Sequence, residues 1–366
     1  HAAQASARRW AGHEPVRVFL LSGTYRLSAP LVLTSEDSGT AGAPVTYQAA
    51  PGNTPVLSGG QLLHLEWTPH TNGILQAKVE LPMPIDLLFV DGQRQPMARF
   101  PNAIPGKKIF DTWNLGERAA LGQDPIARER VARWADPAGG YLHAMHAHLW
   151  GDEHWIIEGR NPDHTLQLTG GWQNNRPTPP HPEYRFVEHI FEELDAPGEW
   201  FHDRRANILY FRPEPGMDLA SAPVEIVRLP HLIEFRGSRE KPVRFVNLRG
   251  LVFTRTARTF MENKEPLLRS DWTIYRGGAV LYEGAEDCLL ADSTFDQVGG
   301  NTIFVNRYNR RITVRGCLLR ESGANGVAFV GDPAGGDEFV HEARRDAQRL
   351  SGLLHSHHFV AHVEES

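Results

Sequence analysis

Three features that this chain lacks narrow its class before any motif is considered. Only two cysteines occur among 366 residues, Cys288 and Cys317, so the chain is not a disulfide scaffold. No run of 18 apolar residues exists, and the sequence therefore predicts no membrane span. Lysine and arginine number 38 against 44 acidic residues, a net charge of −6 with no basic cluster, which argues against a nucleic-acid partner. The first residue is not Met, which leaves a removed signal peptide and a fragment as alternatives.

A repeat with a shift of 24 residues is the strongest positive signal. The run from Ala291 to Val305 can be laid over the run from Arg315 to Phe329. Each copy holds short β-branched and aromatic runs broken by Gly, Asn and Asp, without helical spacing. One such coil cannot bury its apolar face alone, so successive coils must stack as parallel strands.

The repeat also places individual residues in columns. Asn301 and Asn325 fall at the same position of consecutive copies, where we expect left-handed turn residues whose amides stack as a ladder. Cys288 and Cys317 are 29 residues apart and so lie in different columns. Cys317 aligns with Ser293, and we expect two buried free thiols.

We interpret the chain as all-β, a right-handed parallel β-helix (solenoid) with an inserted β-rich domain. A leucine-rich repeat lacks its Leu and Asn signature here, and a propeller blade needs a longer period. We predict a cap, helical before Arg17, and first coils over 1–80, the insertion over 81–223, and resumed coils over 224–335. Residues 336–366 match no coil, and we expect this tail to be truncated or aberrant.

Several segments resemble known enzymes. The segments Ser22 to Tyr25 and Val56 to Gly60 are similar to the first coils of bacterial β-helix carbohydrate enzymes, including chondroitinase B-type lyases. More specifically, Leu88 to Gln95, Leu194 to Phe201 and Gly284 to Cys288 resemble β-helix glycoside hydrolases with an intercalated β-domain, of the family 141 type and more distantly family 120. The resemblance implies a secreted or periplasmic protein that acts on a poly- or oligosaccharide. It also implies an acidic catalytic pair on later coils, in a Gly-Asp-His-Gly neighbourhood that this chain lacks.

Acidic residues of the repeat region are the catalytic candidates, because glycoside hydrolysis needs two facing carboxyl groups. Glu283 and Asn306 are expected to stack one coil apart at the end of a strand, and Asp332 follows the next register position. Asp296 aligns with Arg320, so a surface ion pair is the alternative role. We predict Glu283, Asp332 and Asp296 as catalytic and Asn306 as substrate-binding, with ordinary turn chemistry as the competing explanation.

The insertion holds a second group of candidates. His146, His148 and Trp150 would project from one face of a strand, which suits sugar stacking on Trp150 or a polar surface. The three histidines His143, His146 and His148 also suggest zinc, but no acidic or sulfur partner has a recognised spacing, and we predict no metal and no cofactor. A following loop supplies aromatic, amide, guanidinium and imidazole groups for sugar binding. The substrate-binding residues predicted in the insertion are Trp150, His146, Trp172, Asn174, Asn175, Arg176 and His181.

Three functions remain open from the sequence. A glycoside hydrolase is the leading hypothesis. A polysaccharide lyase would need a base and cationic groups for a uronate carboxylate, for which Arg307, Arg310 and Arg311 are available. A non-catalytic glycan-binding protein of the tailspike or adhesin kind is the third, although a large insertion favours a tailored site.

Overall fold

The structure is a computed structural model that describes residues 2–104, 124–172, 178–266, 273–331 and 359–360. Strand predominates over helix, as the sequence predicted for an all-β chain. The chain divides into two compact units. Unit 1 is formed within His1–Gln61, Val227–Phe260 and Tyr275–Ser366, and unit 2 within Leu62–Ile226 and Met261–Ile274. Across the described residues, no helix is long and apolar enough to cross a membrane.

Unit 1 contains three parallel sheets, and the chain passes through them in turn; strands are numbered β1 to β32 in chain order. The first sheet has the order β1 (Val16–Leu20), β4 (Val45–Ala49), β21 (Val246–Arg249), β26 (Leu289–Ala291) and β29 (Thr313–Arg315). The second has the order β2 (Gly23–Arg26), β5 (Pro55–Ser58), β22 (Val252–Thr254), β27 (Thr294–Val298) and β30 (Leu318–Ser322), followed by the antiparallel β32 (Phe359–Val360). The third has the order β3 (Leu31–Leu33), β19 (Ile233–Arg236), β25 (Val280–Glu286), β28 (Ile303–Arg310) and β31 (Val327–Val330), while β20 (Val243–Arg244) pairs with the end of β25.

The strand register confirms the 24-residue shift. Thr294 pairs with Leu318 on the second sheet, and Ile303 pairs with Val327 on the third. Equivalent residues of successive strands therefore lie side by side in rows. Because side chains alternate along each strand, every row is either buried or on the outward face.

Left-handed residues close the corners between strands. Gly250, Asp292 and Gly316 occupy one column, with φ of 65°, 53° and 62°. These three residues are therefore equivalent turn positions of unit 1. A side chain at Gly316 would approach Asp292 Oδ1 to 2.7 Å, so the column also limits residue size.

The Asn column is confirmed as a ladder but not as a left-handed turn. Asn325 Nδ2 donates to Asn301 Oδ1 at 3.0 Å, and Asn301 Nδ2 donates to the Gly277 carbonyl at 2.8 Å. Neither asparagine has a positive φ, so the expected conformation is wrong. Hydrogen bonding along the stack, rather than turn geometry, explains asparagine at these positions.

The interior of unit 1 is apolar and contains stacked rings. Phe253 and Phe295 stack at 4.5 Å between centroids, and Phe235 stacks on Tyr282 at 4.3 Å. Both cysteines are buried free thiols, as predicted. The first helix, α1 (Ala2–Arg8), buries Ala7 against this core, and a 3-10 helix covers Ser35–Asp37.

Unit 2 is built from antiparallel pairs instead. One sheet has the order β11 (Arg99–Phe100), β15 (Arg185–Glu188), β12 (Tyr141–Met145), β13 (Asp152–Arg160) and β14 (Leu166–Gly170). A second has the order β16 (Trp200–Asp203), β17 (Ile208–Phe211), β8 (Leu75–Lys78) and β7 (Thr68–Pro69). The remaining strands are β10 (Gln93–Gln95), β9 (Leu88–Val90), β18 (Val224–Val227) and β6 (Gly60–Leu63) in one sheet, and β23 (Glu265–Pro266) with β24 (Thr273–Ile274). The helices are α2 (Arg128–Val131) and the 3-10 segments Phe191–Glu193 and Phe260–Glu262.

Candidate active site

A row of polar side chains crosses the outward face of the third sheet of unit 1. Register places Arg236 beside Glu283 and Glu283 beside Asn306. The preceding residues, Phe235 and Tyr282, point into the core, so alternation turns the polar row outward. The predicted stacking of Glu283 and Asn306 is therefore confirmed.

Glu283 is the centre of this row. Arg236 Nη1 donates to its Oε2 at 3.0 Å, and Asn306 Nδ2 donates to the same oxygen at 2.7 Å. Arg307 Nη1 lies 3.6 Å from Oε1. The side chain keeps 23% of its surface exposed, so it is oriented by neighbours and still open to a ligand.

A second glutamate, Glu234, lies two residues before Arg236 on the same face of β19. Arg236 Nε donates to Glu234 Oε2 at 2.8 Å, so one guanidinium bridges Glu234 and Glu283. The hydrogen bond to His231, followed by the charge and hydrogen bond of Arg236, outweighs burial and lowers the pKa of Glu234 to about 2. Glu234 is thus an anion at neutral pH.

His231 links Glu234 to a tyrosine. Its Nδ1 lies 2.6 Å from Glu234 Oε1, and its Nε2 lies 2.8 Å from the Tyr275 hydroxyl. Because an ionised carboxylate only accepts hydrogen bonds, Nδ1 must carry a proton that it donates to Glu234. In the neutral imidazole Nε2 is then the acceptor of the Tyr275 hydroxyl, a tautomer assigned from these contacts.

Arg276 completes the group at the other end of the row. Its Nη1 donates to Asn306 Oδ1 at 2.7 Å and to the Gly331 carbonyl at 3.1 Å. The carboxamide of Asn306 is therefore held on both sides, with its nitrogen directed to Glu283. We call the whole group the polar cluster; its members are His231, Glu234, Arg236, Tyr275, Arg276, Glu283, Asn306 and Arg307.

Of the other two predicted catalytic residues, Asp296 lies apart from the polar cluster. Asp296 lies on β27 in the second sheet, and Arg320 Nη2 donates to its Oδ2 at 2.8 Å. This is the surface pair that the alignment offered as the alternative. Asp332 lies outside the described residues.

His146, His148 and Trp150 do not lie on a strand as expected. Strand β12 ends at Met145, and the following turn, with Leu149 at a φ of 60°, brings the three rings together. His146 and Trp150 stack at 5.0 Å between centroids, and Trp150 remains 50% exposed. The turn replaces the strand because the His148 amide donates to His146 Nδ1 at 3.0 Å.

The remaining predicted binding residues are only partly described. His181 Nδ1 accepts from the amides of Glu183 and Tyr184, both at 3.0 Å. Trp172 lies under the Lys264 ammonium, 4.8 Å from its ring centroid. Both side chains thus have local contacts in unit 2. The predicted residues Asn174, Asn175 and Arg176 lie outside the described residues.

Unit 2 also buries a glutamate, with the opposite electrostatic outcome. Glu199 accepts from the backbone amides of Arg99, Asp195 and Ala196 at 3.3, 3.1 and 3.0 Å. Burial outweighs these donors and, helped by the charge of Asp195, raises the pKa of Glu199 to about 8. In the described part of the chain, no group of three or more His, Cys, Asp or Glu side chains is arranged to hold a metal ion.

Five members of the polar cluster were not predicted from the sequence, because the chain between β19 and β25 is longer than one repeat. Glu234 pairs with Leu281, a shift of 47 residues rather than 24. A signal was available, because Ile233 to Arg236 repeats the alternation of Val280 to Glu283. The missed residues are His231, Glu234, Arg236, Tyr275 and Arg276.

Comparison with known proteins gives a likeness of fold. No family model matches the chain, and no curated protein matches it. A solved structure described as "Glycoside hydrolase" superposes with a TM-score of 0.69 at 18% identity, over 90% of this chain and 63% of that one. A second, "The complex structure of XylC with xylose", gives a TM-score of 0.35 at 10% identity, over 80% of this chain and 36% of the other. The chain thus spans less than two thirds of the first structure's length and has a glycoside hydrolase-like fold.

Proposed function

We propose that this protein is a carbohydrate-active enzyme of the glycoside hydrolase type, with its active site at the polar cluster. The observation that carries the proposal is the row Arg236, Glu283 and Asn306, an oriented carboxylate on the outward face of a parallel sheet. The likeness of fold to a solved glycoside hydrolase supports it. The finer features of the fold, a right-handed parallel β-helix with an inserted β-rich domain, belong to the same proposal.

Glu283 is the carboxylate that acts at the anomeric carbon, directly or through a water molecule. Asp332 follows β31, the second strand from β25. At ~4.8 Å per strand the two positions are roughly 10 Å apart, near the ~6.5–9.5 Å between the carboxyl groups of inverting enzymes. Glu234 is too acidic to protonate a leaving group, since its pKa is about 2. It orients Arg236 and His231 instead, and Asp332 stays the predicted partner of Glu283.

The test is product analysis with the protein incubated on a broad panel of plant and microbial glycans. We expect new reducing ends from the wild type and none from Glu283→Gln. Retention of glycans without any product would contradict the hydrolase and favour the non-catalytic binder. Secretion or a periplasmic location goes with a polysaccharide substrate and is part of the proposal.

A polysaccharide lyase is the second candidate, favoured by the contact between His231 and Tyr275. His231 Nε2 is placed to take the Tyr275 proton, so that the phenolate removes the proton next to a uronate carboxylate. Arg307, 53% exposed, is available to that carboxylate. Unsaturated products that absorb in the near ultraviolet, lost in Tyr275→Phe, would establish the lyase instead.

A further inference from the structure

Unit 2 contains a cavity that none of the predicted site residues lines. Its volume is about 750 Å³, within the roughly 300–1,000 Å³ typical of small-molecule sites. It lies beside β16, the edge strand of its sheet, and takes lining residues from both faces of that strand. Because volume alone does not identify a ligand, the class of ligand is inferred from the residues that line the cavity.

One wall is aromatic and held in place by ring contacts. Phe191 meets Phe201 at 5.4 Å and Tyr210 at 4.9 Å between centroids, both edge to face. Phe201 and Tyr210 also face each other across the β16–β17 pair. All three are only partly buried, so their rings offer a preformed apolar surface of the kind on which a pyranose ring packs.

The imidazole of His202 adds a neutral hydrogen-bonding group. Its Nδ1 accepts from the Ile85 amide at 3.3 Å, which leaves the proton on Nε2. Burial, assisted by the nearby His189 and Arg204, lowers the pKa of His202 to about 4, so the ring is uncharged at neutral pH. His202 is 3% exposed and lines the cavity, and its Nε2 has no hydrogen-bond partner among the described residues.

The charged groups of the lining nearly cancel. The lining has two basic residues, Arg204 and Arg205, and three acidic residues, Asp136, Asp203 and Glu192. Arg205 Nη1 pairs with Asp136 Oδ2 at 2.5 Å. A polyanion would meet three carboxylates here, whereas a neutral ligand meets both donors and acceptors. Aromatic surface combined with balanced polar groups suits a polyhydroxyl compound.

We propose that this cavity of unit 2 is a saccharide-binding site for a neutral mono- or disaccharide. Phe201 and Tyr210 pack against the sugar ring, and the polar rim bonds its hydroxyl groups. The site binds without cleaving, so it extends the proposed function without depending on hydrolysis.

Binding is measured by isothermal titration calorimetry and saturation-transfer NMR with D-xylose, L-fucose and cellobiose, and with D-galacturonate as the acidic comparison. We expect at least one neutral sugar to bind, more tightly than the galacturonate. Tyr210→Ala should weaken that binding tenfold or more. Trp10→Ala removes a ring that is 57% exposed in unit 1 and is the matched control, expected to bind as the wild type does.

A second modified protein covers the case in which Tyr210→Ala fails to fold. Arg204→Cys coupled to a bulky maleimide blocks the exposed mouth, while Cys288 and Cys317 are buried and escape the reagent. Neutral-sugar binding within twofold of wild type in every folded variant would overturn the proposal. So would tighter binding of galacturonate, or no neutral binding at all. Because no turnover is needed, these outcomes are distinct from a failure of the hydrolase assay.

Discussion

The two units differ in how the sequence sets their contacts. In unit 1, parallel strands join residues that are one repeat apart, so a shift of 24 residues specifies a whole row of neighbours. In unit 2, antiparallel strands join residues by local pairing and long loops, with no fixed shift; Trp200 pairs with Phe211, whereas Leu142 pairs with Val187. In unit 1 the strand register alone therefore places polar side chains next to one another. In unit 2 each polar side chain is positioned by its own local contacts.

Glu234 and Glu199 express this difference in electrostatic terms. Glu234 has His231, which precedes β19, and Arg236, on β19, as side-chain partners, and its pKa falls to about 2. Glu199 accepts from backbone amides beside Asp195 and interacts with the Arg99 charge, yet burial raises its pKa to about 8. Hydrogen bonds from the His231 and Arg236 side chains outweigh burial and keep Glu234 ionised.

The largest expected effect concerns activity and tests whether the row is a site. Glu283→Gln keeps the shape and its contacts with Arg236 and Asn306 but removes the negative charge. We expect turnover to fall by ~10²–10⁴-fold, measured as initial rates on the best substrate. Glu321→Gln, an exposed carboxyl on β30, is the control and should retain the wild-type rate. Equal rates for both variants would remove Glu283 from the mechanism.

Stacked rings in unit 1 give the next largest effect. Phe295→Ala leaves a cavity against Phe253 and should lower the free energy of unfolding by ~3–5 kcal/mol. Phe19→Ala removes the same side chain where it is 49% exposed and should cost much less. Thermal or denaturant unfolding measures the stability of both variants. Similar losses of stability would show that the stacking of Phe295 on Phe253 is not what stabilises unit 1.

Glu199 gives unit 2 a stability that declines with rising pH. Because its pKa is raised, the native state holds a proton more tightly than the unfolded chain, whose value is near 4.5. The stabilisation is complete below pH 4.5 and is lost as pH rises through about 8, on the order of a few kcal/mol. In Glu199→Gln this slope should become smaller, and what remains is due to Glu153 of the same unit, whose pKa burial raises to about 7. Glu158→Gln, an exposed residue of the same unit, is the control. A wild-type slope that persists in Glu199→Gln would contradict the assignment.

The lowered pKa of Glu234 predicts the opposite pH dependence for the stability of unit 1. Its lowered pKa stabilises the native state above pH 4.5, and this contribution is lost as pH falls toward 2. Since the site is partly solvated, we expect Glu234→Gln to cost only ~1–2 kcal/mol at pH 7. Urea unfolding at pH 7 and at pH 3 measures the difference, which should shrink at the lower pH. A pH-independent difference would mean that the loss comes from shape and not from charge.

The repeat made much of unit 1 predictable, and its interruption limited the rest. The alignment of Glu283 with Asn306 and of Asp292 with Gly316 followed from period alone. Glu234 was missed because the chain between β19 and β25 is longer than one repeat, so that the shift to Leu281 is 47 residues and not 24. The sequence of unit 2 has no such period. Nothing in it therefore indicated that the chain turns at His146, or that buried Glu199 accepts hydrogen bonds from the amides of Asp195 and Ala196.

The smallest expected effect tests the asparagine ladder, in which side chains one repeat apart are hydrogen-bonded. Asn325→Ala removes the donor to Asn301 Oδ1, at 3.0 Å, and should lower the free energy of unfolding by ~0.5–1.5 kcal/mol. A double-mutant cycle with Asn301→Ala separates this contact from the buried bond between Asn301 and the Gly277 carbonyl. We expect the two substitutions to be coupled, because each of them removes the same hydrogen bond between Asn325 and Asn301. Strictly additive losses would mean that the asparagines act independently, and that the rows of unit 1 are held by backbone pairing and core packing alone.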